Sequence, residues 1–151
     1  MFLSVFAASE VFAHHKCWPR RFPLFRRSSR RCAVVEQESG WNQWVTRYEP
    51  AFRIRHVAPL GLPVNEEISR SICWGLMQVM GQVAREVGFH GTFLSELCDP
   101  ETGLEWGCTV LVKKLAQADS DAAKGLQLWH GGANLQYASQ VMARTSQYQT
   151  S

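Results

Sequence analysis

The sequence predicts a mainly α-helical domain, and three observations support this fold class. Helix-start signals recur along the chain, the clearest being the D-P-E run at 99–101, where a capping Asp precedes Pro and an acidic residue. The alternating pattern of half-buried strands is almost absent. Of 151 residues, 46% are hydrophobic and 19% are charged, which suffices for one buried core and excludes a disordered or collagen-like chain.

The first predicted helices follow short capping sequences. A helix capped by Ser28-Ser29 is expected to run to about Ser39 and to end at Gly40, because glycine tolerates the left-handed backbone that terminates helices. A second, short helix is expected over 51–57, since Pro50 suits the first helical position.

The middle of the chain is also predicted to be helical. After a Pro-rich loop at 59–63, Asn65 is expected to cap a helix over 66–74. Gly75 breaks the pattern, and a further helix is predicted over 77–87. One helical turn, capped by Thr92, should precede the D-P-E signal.

Three longer helices are predicted in the C-terminal part, each preceded by a side chain that can accept a bond from the first-turn N–H groups. They cover 100–118, 122–129 and 135–147, with Asp99, Asp121 and Asn134 as caps.

The charges divide the chain into two parts. Residues 1–31 carry seven basic and one acidic side chain, a net charge of +6, whereas residues 32–151 carry nine basic and twelve acidic side chains, a net charge of −3. We therefore predict a basic, solvated arm over 1–31 and one folded domain over 32–151. The overall charge of +3 is poor support for nucleic-acid binding by that domain, and no nucleic-acid partner is expected.

Targeting signals are weak. The first eight residues look like a short export-signal core, but no basic residue precedes them and Glu10 interrupts the segment. These features disfavour export by this segment, which stays as the alternative. The chain has no stretch of about 18 apolar residues, so no membrane-spanning helix is expected.

No metal or cofactor is predicted. The chain has none of the glycine-rich phosphate-binding motifs, its five histidines lack metal-ligand spacing, and its five cysteines form no C-x-x-C pair. Cys98 and Cys108 would lie roughly 13 Å apart along one helix, beyond the ~7 Å limit for a disulfide. We expect mostly buried free thiols.

Glu38 is the candidate catalytic residue. On a helix it shares a stripe with Val34 and Val35, which places a carboxyl at the C-terminal end of an apolar face. Loss of hydration favours the protonated form of such a group, which suits a general acid. Glu36 lies about 200° around the helix and is expected to be solvated.

Five short motifs in a fixed order resemble those of the soluble lytic transglycosylases, relatives of goose-type lysozyme, and the resemblance covers roughly residues 32–149. The motifs are E-S-G-W-N (38–42), G-L-M-Q-V-M (75–80), Q-V-A-R-E-V-G (82–88), D-P-E-T-G-L (99–104) and W-H-G-G-A-N (129–134), the last followed by Tyr137 and Val141.

The resemblance implies a lysozyme-like (goose-type) helical domain with a groove for peptidoglycan glycan strands. It implies cleavage of the β-1,4 bond between N-acetylmuramic acid and N-acetylglucosamine without a cofactor. Glu38 would act first as acid and then as base, and the muramic 6-hydroxyl would close onto C1 to give a 1,6-anhydro end. This scheme departs from the usual pair of carboxylates.

The same resemblance assigns further site residues. Ser39 would lie beside Glu38 as a local hydrogen-bonding group. The positions matched to the substrate groove are Met77, Gln78, Trp129, His130 and Tyr137.

Aromatic residues differ from the family pattern at one place. Trp129-His130 stands where the family usually has Tyr-Asn, and the Tyr hydroxyl usually helps to hold the catalytic Glu. An indole has one donor and no acceptor, at a different place, so that orienting bond is not predicted to be kept. Trp41, Trp44 and Trp74 suit either the core or stacking on sugars, and the core is favoured for each.

Two other functions stay open. A hydrolytic muramidase on the same fold would use water in place of the 6-hydroxyl, and a glycan-binding or assembly protein would keep the fold without turnover. In each case the expected partner is the glycan strand, and the expected location is the cell envelope or periplasm, or a phage particle.

Overall fold

The computed structural model describes residues 29–132 and 134–148. Most of the predicted basic arm, the weak export segment, Ser28 and Cys17 lie outside these residues. The first described helix begins at Ser29, inside the predicted arm, and the division at 31/32 stays a prediction.

Helices dominate the described part of the chain, as predicted. The α-helices are α1 (Ser29–Ser39), α2 (Pro50–Phe52), α3 (Val64–Arg70), α4 (Gly81–Glu86), α5 (Pro100–Gln117), α6 (Ala122–His130) and α7 (Tyr137–Thr145). A π-helical turn (Arg53–Val57) and short 3₁₀ segments (Ala58–Leu60, Leu94–Cys98 and Ser146–Tyr148) link or extend them. The strands are β1 (Thr46–Tyr48), β2 (Ile72–Trp74) and β3 (Val79–Met80).

A small antiparallel sheet in the order β1-β2-β3 was not predicted. Arg47 of β1 pairs with Cys73 of β2, and Cys73 pairs on its other side with Met80 of β3. The prediction of helices over 66–74 and 77–87 is therefore wrong in part, because α3 ends at Arg70 and α4 begins only at Gly81.

The turn between β2 and β3 explains this difference. Gly75 and Gln78 have φ values of 66° and 48°, a left-handed backbone that interrupts a helix. A Cβ atom at Gly75 would lie 2.3 Å from the carbonyl oxygen of Leu97, so only glycine fits there. Tertiary packing thus overrides the local helical preference.

Local capping signals correctly predicted α5 and α6. Asp99 accepts a bond from the Thr102 N–H (3.0 Å), and Asp121 accepts one from the Lys124 N–H (3.0 Å). Gly131 ends α6 in a left-handed conformation. The helix predicted over 135–147 is shorter, because α7 begins at Tyr137 and its last residues become a 3₁₀ turn.

The core lies between α1, the long helix α5 and the C-terminal pair α6 and α7. Val34 and Val35 of α1 are completely buried, as are Leu126 of α6 and Val141 of α7. α1 packs against α7, and α5 packs against α6. The C-terminal end of α1 therefore emerges from the core beside the start of α7.

Four cysteines lie in the described residues, and all four are free thiols, as predicted. Burial raises the pKa of the Cys32 and Cys73 thiols to about 11. Within the described ranges, no helix is both long enough and apolar enough to cross a bilayer.

Candidate active site

Glu38 lies in the last turn of α1, one turn beyond the buried valines. Val34 and Val35 precede it by four and three residues and have no exposed surface, which matches the predicted stripe. Gly40 ends the helix with a φ of 55°. The Glu38 carboxyl therefore projects from the end of a buried helix face, where it is partly exposed.

Two aromatic side chains hold this carboxyl. The indole Nε1 of Trp129 donates to Glu38 Oε1 at 2.9 Å, and the hydroxyl of Tyr137 donates to the same oxygen at 2.5 Å. Both donors come from distant parts of the chain, the end of α6 and the start of α7. They fix the carboxyl through Oε1, and neither of them occupies Oε2.

The Trp129 bond corrects the expectation drawn from the family pattern. The indole N–H reaches the Glu38 carboxyl, so a donor is kept although Trp stands in place of Tyr. Tyr137 supplies a hydroxyl from the following helix. Burial, and next the charge of Glu38, raise the pKa of Tyr137 above its usual range, so the phenol keeps its proton and acts as a donor.

The middle strand of the small sheet carries a buried thiol, Cys73. Burial raises the pKa of Cys73, and the nearby charges of Glu38 and Glu49 contribute in the same direction, whereas Arg47 opposes them. Arg47 lies across the ladder from Cys73, and its Nη2 approaches the Cys73 sulfur at 4.0 Å. Arg47 and Cys73 are direct partners across the β1–β2 ladder, so their side chains lie on the same face of the sheet.

Glu36 points away from Glu38, as predicted, but the expectation that it is solvated is wrong. Its Oε1 accepts from Arg144 Nη1 at 3.0 Å, and its Oε2 accepts from the Tyr148 hydroxyl at 2.7 Å. The same hydroxyl accepts from Trp41 Nε1 at 3.2 Å. These contacts, which we call the α1 clasp, join α1 and the turn after it to the last described residues.

The groove role predicted for Met77 needs correction. Met77 has no exposed surface, and its side chain fills the space beside Gly107, where a Cβ atom would lie 2.4 Å from the Met77 sulfur. It is a core residue and offers no surface to a sugar in this structure.

Gln78, the other groove position in this motif, is 9% exposed. Its Nε2 donates to the carbonyls of Val45 (2.8 Å) and Gly75 (2.9 Å), so its amide N–H groups hold the turn before β3. The left-handed backbone of Gln78 turns this side chain inward, which the sequence pattern did not indicate.

Two remaining predicted site residues lie close to Glu38. The Ser39 hydroxyl donates to the carbonyl of Val35 (3.1 Å), one turn back along α1. The His130 ring stacks on Tyr137 with ring centroids 4.5 Å apart, and its Nδ1 is buried without a hydrogen-bond partner. Contact of these side chains with substrate stays a prediction.

The three tryptophans discussed above separate into two groups. Trp41 and Trp74 are partly buried against the core, as predicted, whereas Trp44 is 69% exposed and the core interpretation is wrong for it. An Asx turn, in which the Trp44 N–H donates to the Asn42 side chain at 3.0 Å, holds its backbone at the surface.

Some functional contacts could not be found from the sequence. Tyr148 bonds Glu36 across 112 residues and Arg144 does so across 108, and no motif or spacing links such distant positions. Within the described residues, no group of three or more His, Cys, Asp or Glu side chains is placed to hold a metal ion.

Comparison with known proteins gives one match. A family model described as the Transglycosylase SLT domain matches residues 28–140. This span contains Glu38, Trp129 and Tyr137, and so all three side chains of the carboxyl site. Neither the curated proteins nor the solved structures gave a match to the chain.

Proposed function

Because the chain belongs to the soluble lytic transglycosylase family, which has a lysozyme-like, mainly helical domain and acts on peptidoglycan, we propose that it cleaves the β-1,4 bond between N-acetylmuramic acid and N-acetylglucosamine with formation of 1,6-anhydromuramic ends. The observation that carries this proposal is a single carboxyl, Glu38, held through one oxygen by Trp129 and Tyr137. Such a carboxyl has a fixed direction and a second oxygen for proton exchange.

In the first step, protonated Glu38 donates its proton to the glycosidic oxygen. The bond between that oxygen and muramic C1 breaks, and the N-acetylglucosamine end leaves as an alcohol. The acetamido oxygen of the muramic residue shares its electrons with C1 and stabilises the oxocarbenium-like centre. Glu38 is left as a carboxylate, and the N–H of Trp129 and the O–H of Tyr137 stabilise its charge.

In the second step, the Glu38 carboxylate accepts the proton of the muramic 6-hydroxyl. The O6 atom forms a bond with C1, the acetamido oxygen is released, and the 1,6-anhydro ring closes. Glu38 is again protonated, so no water is consumed and one carboxyl serves both proton transfers. The clasped position of Glu36 supports this scheme, because its bonds to Arg144 and Tyr148 engage both of its carboxyl oxygens.

The test is mass analysis of the sugars that the full chain releases from purified sacculi. Ends that lack one water relative to a reducing end are expected from the wild type, and Glu38→Gln should release none. Reducing ends instead of anhydro ends would assign the chain to the hydrolytic muramidases. Binding of sacculi without any release would show a glycan-binding protein that has lost turnover.

The partner in this proposal is the glycan strand of peptidoglycan, and the place of action is the cell envelope. A periplasmic enzyme and an enzyme delivered by a phage particle would both meet this same substrate. The same sacculus assay with Glu38→Gln measures retained binding, because the variant keeps the shape of the site without its acid.

A further inference from the structure

The rings of His130 and Tyr137 are in contact, and Tyr137 in turn bonds the Glu38 carboxyl. The two ring centroids are 4.5 Å apart and the ring planes are tilted by 32°, a separation within the range of favourable aromatic pairs. His130 is the last residue of α6, and Tyr137 is the first residue of α7. The contact therefore joins the two helices that supply the donors to Glu38.

Tyr137 depends on its surroundings for the position of its hydroxyl. The side chain is 2% exposed, and its O–H donates to Glu38 Oε1 at 2.5 Å. The hydroxyl is attached to a rigid ring, so a shift of the ring moves the oxygen with it. A hydrogen bond weakens as its distance and angle depart from the optimum. A group that packs on this ring therefore contributes to the geometry of the bond to Glu38.

The backbone that carries His130 is itself held in place. Gly131 and Gly132 follow it with φ values of 79° and 80°, and their N–H groups both donate to the carbonyl of Gln127. The Gln127 side chain spans the same turn, because its Nε2 donates to the carbonyl of Leu135 at 2.7 Å. The imidazole of His130 therefore projects from a closed turn whose backbone is fixed on both sides.

The polar atom Nδ1 of His130 does not account for the position of this ring. Nδ1 is buried, and among the described residues it has no hydrogen-bond partner. A buried atom is closed to a substrate group in this conformation. An asparagine, the residue of the family pattern at this position, would bring amide groups but no ring. The ring contact with Tyr137 is therefore what a histidine adds to the site.

We propose that His130 is a positioning residue for the reaction, and that its ring packs on Tyr137 and keeps the phenol hydroxyl on Glu38 Oε1 while the carboxyl becomes charged. This inference rests on the proposed function, because turnover is one of its readouts. His130 takes no part in the proton transfers. The contact should affect kcat rather than KM, because it supports a charge that Glu38 acquires only during the reaction.

Three substitutions at His130 separate the ring from a polar contact. His130→Ala removes both, and kcat on soluble glycan fragments should fall about threefold to tenfold with KM unchanged, because the Tyr137 bond to a charged group is weakened but not lost. His130→Phe keeps a ring and should keep most of the wild-type kcat. His130→Asn brings polar groups without a ring, and its kcat should fall as in His130→Ala.

A double-mutant cycle with Tyr137→Phe tests whether His130 acts through the hydroxyl. Tyr137→Phe removes the hydroxyl but keeps a ring for the contact, so the addition of His130→Ala should lower kcat no further. Full additivity of the two effects on kcat would overturn the proposal. Higher activity in His130→Asn than in His130→Phe would also overturn it, and would assign to His130 a polar contact with the glycan.

The matched control is His56→Ala. His56 is an exposed residue of the π-helical turn, and its ring lies against Phe52 with centroids 4.8 Å apart, a histidine contact of similar geometry on another element. This variant should keep the wild-type kcat, and circular dichroism of every variant checks that the fold is retained. A fall in kcat equal to that of His130→Ala would contradict a specific role for His130.

Urea unfolding separates this inference from the proposed function. The cycle of His130→Ala and Tyr137→Phe can be measured without substrate, and the coupling should change the unfolding equilibrium constant by at least about twofold, the lower end for residues in contact. If the wild type produced no anhydro ends, the proposed function would fail, and this coupling would still test the contact. Additive effects on unfolding would refute the inference alone.

Discussion

At the scale of single residues, the two donors to Glu38 bind the same carboxylate oxygen and come from opposite ends of one turn. Trp129 ends α6 and Tyr137 begins α7, so the turn between the helices sets the distance between indole and phenol. The Trp129 N–H and the Tyr137 O–H therefore fix the position of Oε1 and leave Oε2 without a bond from either of them.

The first residue-scale prediction separates the two acidic residues of α1. Glu38→Gln should lower kcat by at least about 10²-fold, the lower end for general acid–base catalysis, with little change in the free energy of unfolding. Glu36→Gln should keep kcat within a few-fold but lower that free energy by up to about 1 kcal/mol, because it removes the ion pair with Arg144. Turnover of soluble fragments and urea unfolding measure the two effects. Equal loss of kcat in both variants would contradict the assignment.

The second residue-scale prediction concerns the indole of Trp129. Trp129→Phe keeps an aromatic ring but removes the N–H that reaches Glu38 Oε1, so kcat should fall roughly tenfold, the factor that about 1.4 kcal/mol represents. Trp129→Tyr restores a donor and should keep more activity than Trp129→Phe. Circular dichroism of both variants controls for folding. If the two variants had the same kcat, the N–H would have no positioning role.

At the scale of secondary-structure elements, the α1 clasp joins the helix that carries Glu38 to the C-terminal described residues. Glu36, Tyr148 and Trp41 form a chain of hydrogen bonds, and the Trp41 and Tyr148 rings pack with centroids 6.0 Å apart. The turn after α1 and the 3₁₀ turn after α7 are therefore joined directly.

Tyr148→Phe tests this clasp. It removes the hydroxyl that donates to Glu36 and accepts from Trp41, and the free energy of unfolding should fall by about 1–2 kcal/mol. Urea unfolding at neutral pH measures the change. Tyr48→Phe is the control for loss of a phenol at the surface. Tyr48 is an exposed residue of β1 whose hydroxyl interacts with the Arg53 side chain, so this substitution should change stability less than Tyr148→Phe does. A smaller effect at Tyr148 than at Tyr48 would show that the clasp adds no stability.

The sequence predicted those elements whose signals are local. α5 and α6 begin at Asp side chains that cap their own first turns. The position of Glu38 at the end of a buried helix face was predicted correctly, because the helix stripe with Val34 and Val35 is also a local signal. β2 and β3 were missed because strands of three and two residues have no readable alternation. The burial of Met77 and the bonds of Tyr148 depend on packing between distant segments, which no local pattern encodes.

At the scale of the whole molecule, buried cysteine thiols and tyrosine hydroxyls make the free energy of unfolding depend on pH in the alkaline range. Burial raises the pKa of Cys32 and Cys73 to about 11, and burial also raises the pKa values of Tyr137 and Tyr148 above their usual range. The folded protein therefore holds these protons more tightly than the unfolded chain does. This contribution to stability is complete below the unfolded thiol pKa of about 9 and is lost as the pH rises toward 11.

Urea unfolding at several pH values between about 8 and 11 should show this decline directly. Cys73→Ala, which removes one of the buried thiols, should make the decline shallower. A free energy of unfolding that stays constant over this range would contradict the linkage, because a raised pKa in the folded state requires a dependence of this sign.

The support of the Glu38 carboxyl also depends on the order in which the chain is synthesised. Trp129 and Tyr137 lie 91 and 99 residues after Glu38. Tyr148 lies 107 residues after its partner Trp41. A growing chain exposes α1 early, but the groups that orient Glu38 leave the ribosome only with the last helices. Contacts of such long sequence separation also form late in folding. A nascent chain, or one truncated before α6, therefore carries Glu38 without its two donors, and the candidate site is assembled only when α6 and α7 have been made.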